Sequence, residues 1–104
     1  NLPNAGQVAN IPHGAIVETP VFVDGDGIHP VHVGALPEPI TELIRRELAV
    51  VQLCVDSAIE GSYEKALQCL LLDPVITDIE TAEHILDDYL TTYKEHLPQY
   101  WNKK

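Results

Sequence analysis

Prolines and glycines are distributed unevenly along this chain of 104 residues, and their placement limits the fold more than any other feature. Every proline except Pro74 and Pro98, and every glycine except Gly61, lies between Asn1 and Pro39. Proline removes a backbone donor and fixes φ, and glycine loses much entropy when ordered, so no long helix can form there. Within that stretch Ala15 to Val23 is rich in β-branched residues and reads as a strand. Pro20 deprives the strand of one amide, which makes it an edge strand or places a bulge at that point. Asp24-Gly25-Asp26-Gly27 is a turn, because Asp-Gly readily supplies positive φ, and Ile28 to Val33 returns as a second short strand. The product is a two-stranded ribbon over Ala15–Val33.

From Glu38 the period becomes helical. Pro39 sits in the first turn, where its missing N–H costs nothing. Ile40, Leu43, Ile44, Leu48, Val51, Val55, Ala58 and Ile59 recur at steps of three and four, and Val50, Leu53 and Cys54 widen that stripe. Such a helix, near 38–60, is expected to be buried on most sides. Gly61 ends it, and Ser62 caps a second helix near 63–72 that is expected to bury Ala66, Leu67, Leu70 and Leu71. Asp78 caps a third helix near 79–97, with Ile79, Ala82, Leu86, Leu90, Tyr93 and Leu97 as its inner stripe and Pro98 as its close. The fold class is therefore α+β: a short ribbon followed by three helices.

Acidic residues outnumber basic ones 16 to 6, a net charge of −10. That charge repels phosphate backbones and anionic lipid, which excludes nucleic acid as a partner. No apolar run approaches the roughly 20 residues of a membrane helix, and no leader is recognisable, so a cytoplasmic location is expected. The chain begins at Asn1 and contains no methionine, and it reads as an excised fragment. Cys54 and Cys69 fall on helices and read as buried free thiols.

No self-contained active site is legible. An EF-hand loop beginning at Asp24 needs an oxygen ligand, a glycine and a glutamate where Ile28, His29 and Ala35 stand, so that segment is a plain turn. His29 and His32 are three apart on a strand and point to opposite faces, which prevents them from clasping one metal. Asp87 and Asp88 diverge by about 100° on a helix, a poor acid–base pair. Ser57 and Ser62 have no histidine or aspartate at a recognisable spacing, and neither a GxGxxG nor a P-loop is present. No catalytic, cofactor-binding or metal-binding residue is assigned.

Three stretches carry a resemblance. Asn4 to Pro12 followed by Ala15 to Pro20, then Val33-Gly34-Ala35-Leu36-Pro37, then Ala66 to Pro74 together resemble the C-terminal region of family-4 glycoside hydrolases. Tyr89, Lys94, Glu95, Leu97 and Pro98 are similar to that family's closing helix. The resemblance implies a piece of a substrate domain like that of lactate and malate dehydrogenases. For the parent protein it implies glycoside cleavage in which bound NAD oxidises the sugar at C3, a base removes the C2 proton and the C1 leaving group is eliminated. A divalent metal, typically manganese, stabilises the enediolate. The dinucleotide fingerprint and the metal-binding Cys and His belong to family segments absent here, so the fragment alone is expected to bind neither group.

The ribbon wording Val23 to Pro30 is similar to members acting on unphosphorylated α-glycosides, among them α-glucosides, α-galactosides and α-hexuronides, rather than on 6-phospho-β-glucosides. Partners implied are the rest of the parent enzyme and a second copy, through the Glu38–Glu60 helix. Two other readings stand beside this one: a non-catalytic acidic interaction module, and the terminal part of another dehydrogenase-like enzyme.

Overall fold

A computed structural model describes residues 1–101. The chain is α+β, with two small sheets preceding its helices. By packing it divides into two units, one from Asn1 to Arg45 and one from Arg46 onward.

In the first unit, β1 (Leu2–Pro3) pairs antiparallel with β2 (Ile16–Val17), and β3 (Val21–Asp24) pairs antiparallel with β4 (Gly27–Pro30). The expected single strand Ala15–Val23 is therefore two strands belonging to two sheets. The break falls at Glu18-Thr19-Pro20, where Pro20 has no amide to extend a ladder, and its carbonyl instead accepts from Val31 N at 3.0 Å. The returning strand also ends earlier than expected, at Pro30. The ribbon turn forms as read: Asp24 opposes Gly27, and Asp24 Oδ1 accepts from Asp26 N at 2.9 Å. Val8 and Ile11 are the buried apolar residues of this unit, and Asn4, Gln7 and Thr41 are buried polar ones.

α1 (Glu38–Glu60) and α2 (Tyr63–Leu72) have the expected bounds. Gly61 separates them at φ +63°, and an added Cβ there would overlap the Gln99 carbonyl. Ser62 caps α2 by accepting from Lys65 N at 3.3 Å, and Asp78 caps α3 (Ile79–Thr92) by accepting from Thr81 N at 2.8 Å. The expected helix to residue 97 stops at Thr92. Tyr93 leaves helical geometry, a 3₁₀ turn covers Lys94–His96, and Pro98 opens α4 (Pro98–Trp101) instead of closing α3. Proline suits a first helical position as well as it suits a stop, and here the former holds.

Burial in the second unit differs from the expectation. Ala82, Leu86 and Leu90 of α3 are buried, but Ile79 and Tyr93 are exposed. α2 buries no residue fully; Ala66, Leu67 and Leu70 are half-buried and Leu71 is exposed. On α1 the main apolar stripe faces outward: Val51 is 58%, Val55 48% and Ile59 76% exposed. The packed side of α1 carries Val50, Leu53 and the buried Ser57. Cys54 is exposed and Cys69 half-buried, which corrects the expectation of two buried thiols. Among the described residues no helix is long and apolar enough to cross a membrane.

Candidate functional site

The densest polar arrangement is a knot built by Asn4-x-Gly6-Gln7 and Asn10-Ile11-Pro12. Asn4 is 1% exposed. Its Nδ2 donates to Val8 O at 2.9 Å and Ile11 O at 2.8 Å, and its Oδ1 accepts from Gly6 N at 3.2 Å and Val8 N at 3.1 Å. Gln7 Nε2 donates to Pro3 O at 3.0 Å, and Gln7 Oε1 accepts from Ala5 N. Asn10 reads the Leu36 backbone from both sides, donating to its carbonyl and accepting from its amide, each at 2.9 Å, and also donates to Thr41 Oγ1. Arg45 Nη2 donates to Asn10 O at 3.0 Å. Every polar atom of these amides is thus spent on backbone or on Thr41. The residues that carry the resemblance fix the loop and leave no group free for chemistry. Hydropathy gives no signal for Asn4 and Gln7; their Asn-x-Gly and Asn-Ile-Pro spacing does.

The two histidines have separate partners. His29 Nε2 lies 2.9 Å from Asp24 Oδ1, and His32 Nδ1 lies 2.9 Å from Gly6 O. The His29 contact is the main reason the Asp24 carboxyl lies below the usual carboxylate range, with the Asp26 amide second. Among the described residues no three side chains of His, Cys, Asp or Glu converge as a metal site needs.

The second unit offers two concave sites. A cavity of about 420 Å³ lies among α1, α2, α3 and the segment after it, lined by Cys54, Ser57, Cys69, Leu86, Tyr89 and Leu97. Ser57 Oγ is hydrogen-bonded to Tyr100 OH at its edge. Cys69 Sγ donates to Val50 O at 3.3 Å, and burial, with Cys54 next, pushes its thiol up. An open pocket of about 410 Å³ is lined by Gly61, Tyr63, Asp87, Tyr100 and Trp101. There Tyr63 OH donates to Asp87 Oδ1 at 3.0 Å. Burial first, and then Asp87, pushes the Tyr63 phenol up, so it stays a protonated donor tying α2 to α3. Lys94 Nζ stands 4.6 Å from the centre of the Trp101 ring. Neither site presents a nucleophile with a base, or an acid with a base. Sequence spacing gave no warning of these pairings, which join residues 15 and 24 apart.

The order of elements is the knot, then the ribbon, then a long helix followed by shorter ones. Residues 1–76 match the family described as "Family 4 glycosyl hydrolase C-terminal domain", and the chain belongs to that family. It is 34% identical over 100 residues to the phospho-alpha-glucosidase PagL of Clostridium acetobutylicum, covering 96% of this chain and 22% of that protein. It is 35% identical over 91 residues to an alpha-galacturonidase of Bacillus subtilis, covering 86% of this chain and 20% of that protein. It is also similar to a crystal structure of 6-phospho-alpha-glucosidase from gut microorganisms in complex with NAD and Mn²⁺. That likeness has a TM-score of 0.84 and 31% identity, and covers 94% of this chain and 23% of the other. The chain thus spans about a fifth of the length of these relatives.

Proposed function

We propose that residues 1–104 are a C-terminal fragment of the substrate domain of a glycosidase, without a Rossmann domain. The parent enzyme hydrolyses O-glycosidic bonds by NAD-dependent oxidation and elimination with a divalent metal, manganese, in the cytoplasm. The observation that carries this reading is the family match over residues 1–76 together with the likeness in fold over 94% of the chain. That match favours an enzyme part over a free-standing interaction module.

The substrate is an α-glucoside, α-galactoside or α-hexuronide. The ribbon wording Val23 to Pro30 supports this, as does the relative named alpha-galacturonidase, whereas PagL is named for a phospho-α-glucoside. Among the described residues no side-chain set fits manganese, since no three metal donors converge, and the sequence carries no GxGxxG fingerprint for NAD. Both groups, and the base, are therefore assigned to other segments of the parent. The sequence that precedes Asn1 in the parent gene tests the reading. A strand–GxGxxG–helix followed by a cysteine–histidine metal motif is expected; a parent with neither overturns it. Cleavage of a 6-phospho-β-glucoside in preference to α-glycosides would overturn the substrate assignment alone.

We further propose that a second copy covers α1. Leu48, Val51, Val55 and Ile59 form one stripe on the side of the helix away from α2 and α3, and most of it is exposed. Laid against its twofold mate the stripe meets itself, an isologous contact. About 400 Å² per partner is available, near the upper size of patches on monomers. The total of about 800 Å² lies at the weak end of specific interfaces, so the dimer dissociates at micromolar or higher concentration. Sedimentation equilibrium across that range should show mass rising from monomer to dimer; a monomer mass throughout would refute the pairing.

A further inference from the structure

Cys54 and Cys69 come from different helices and line the same cavity. Cys69 Sγ rests 3.3 Å from Val50 O. In an α-helix that carbonyl is the acceptor for the amide of Cys54, and every Cβ leans toward the helix N-terminus. The Cys54 side chain therefore projects over the turn on which the Cys69 thiol rests, and both side chains line one cavity. Thiols placed on facing turns of two packed helices are brought toward a bond length of about 2.05 Å by side-chain rotation. The pair is also unequal: Cys54 is exposed, and Cys69 is half-buried and donates its S–H to a carbonyl.

We propose that Cys54 and Cys69 are a peroxide-responsive dithiol that closes reversibly into an intrachain disulfide tying α1 to α2. The inference is independent of the glycosidase reading. Cys54 Sγ, as thiolate, attacks one oxygen of hydrogen peroxide. The O–O bond breaks, that oxygen stays on sulfur as sulfenic acid, and the other takes a proton and leaves as water. Cys69 Sγ then attacks the Cys54 sulfur, the S–S bond forms and the S–O bond breaks. The departing hydroxide takes the Cys69 proton and leaves as water. Two thiols have lost two electrons and two protons, and one peroxide has become two waters. Exposure suits Cys54 to the first attack, and burial beside it suits Cys69 to the second.

The test treats the reduced chain, and its Cys54→Ser and Cys69→Ser variants, with one equivalent of hydrogen peroxide, read by intact mass and peptide mapping. The native chain should lose two hydrogens and yield a linked peptide containing both cysteines, restored by dithiothreitol. Cys69→Ser should stop at a sulfenic acid on Cys54 that dimedone traps. Cys54→Ser should react about tenfold more slowly than the native chain. Phenylarsine oxide, which needs two thiols within bonding reach, should bind the native chain one to one without any substitution. Independent oxidation of the two cysteines, links only between chains, or no arsenical binding would each overturn the proposal.

Discussion

Replacing Asn4 by alanine should cost about 3 kcal/mol, and the knot shows why. The Asn4 side chain satisfies five backbone groups, Val8 N, Val8 O, Ile11 O, Pro12 O and Gly6 N, from a position 1% exposed. Val8 and Ile11 are themselves buried and Val8 O keeps the Ile11 amide at 3.4 Å, so Val8 N and Ile11 O lose their partner where water cannot replace it. A buried polar group left bare costs about 1–3 kcal/mol. Two such groups, with water reaching the exposed Gly6 and Pro12, put the total at about 3 kcal/mol. Small domains have only about 5–15 kcal/mol in hand, so the change is large. Hydrogen exchange reads it locally, at the Val8 amide and at Gly14, whose amide donates to Asn4 O at 2.8 Å. Protection of both should fall about 100-fold. Asn4→Asp should do no better, because a carboxylate oxygen would face the carbonyls of Val8 and Ile11. Protection within threefold of the native chain in Asn4→Ala would refute the reasoning.

Gly61→Ala should destabilise the α1–α2 junction by about 1–2 kcal/mol from its left-handed φ alone. The added Cβ also displaces the Gln99 carbonyl, so a urea midpoint unchanged by Gly61→Ala would contradict this packing. The cap of α3 makes stability depend on acid. The Asp78 carboxyl lies below its ordinary value of 3.8, held chiefly by the Thr81 amide. A depressed pKa contributes stability above the unfolded value that disappears as pH falls through the folded one. Melting temperature should therefore drop below about pH 4 in the native chain, and drop less in Asp78→Asn, which keeps an acceptor. Equal acid sensitivity in the two chains would remove Asp78 from the account.

The helices were legible because their periodicity and end signals agree. Ser62, Asp78 and Gly61 mark ends that the structure keeps, and α1 and α2 have the expected bounds. Periodicity shows that a helix has an apolar face, but not what that face meets. The strongest stripe of α1 was read as core, whereas Val51, Val55 and Ile59 point outward and Val50 and Leu53 point inward. Tyr93 was counted into a helix that had already ended one residue earlier. The N-terminal unit was harder to read, because side chain to backbone bonds from Asn4, Gln7 and Asn10 order it instead of an apolar pattern. Those three residues were seen as a family signature before their role in the loop was evident. The meeting of Cys54 and Cys69 at one cavity and the Tyr63–Asp87 hydrogen bond depend on how α1, α2 and α3 pack, and no spacing along the chain announces them.

The central claim is that this chain supplies framework to a glycosidase and none of its cofactor chemistry. Calorimetric titration of NAD into the 104-residue chain, with manganese present throughout, tests it directly. No saturable heat up to millimolar NAD is the expected result. A binding isotherm of micromolar affinity would contradict the account, because it would require a dinucleotide site in a sequence without the GxGxxG fingerprint.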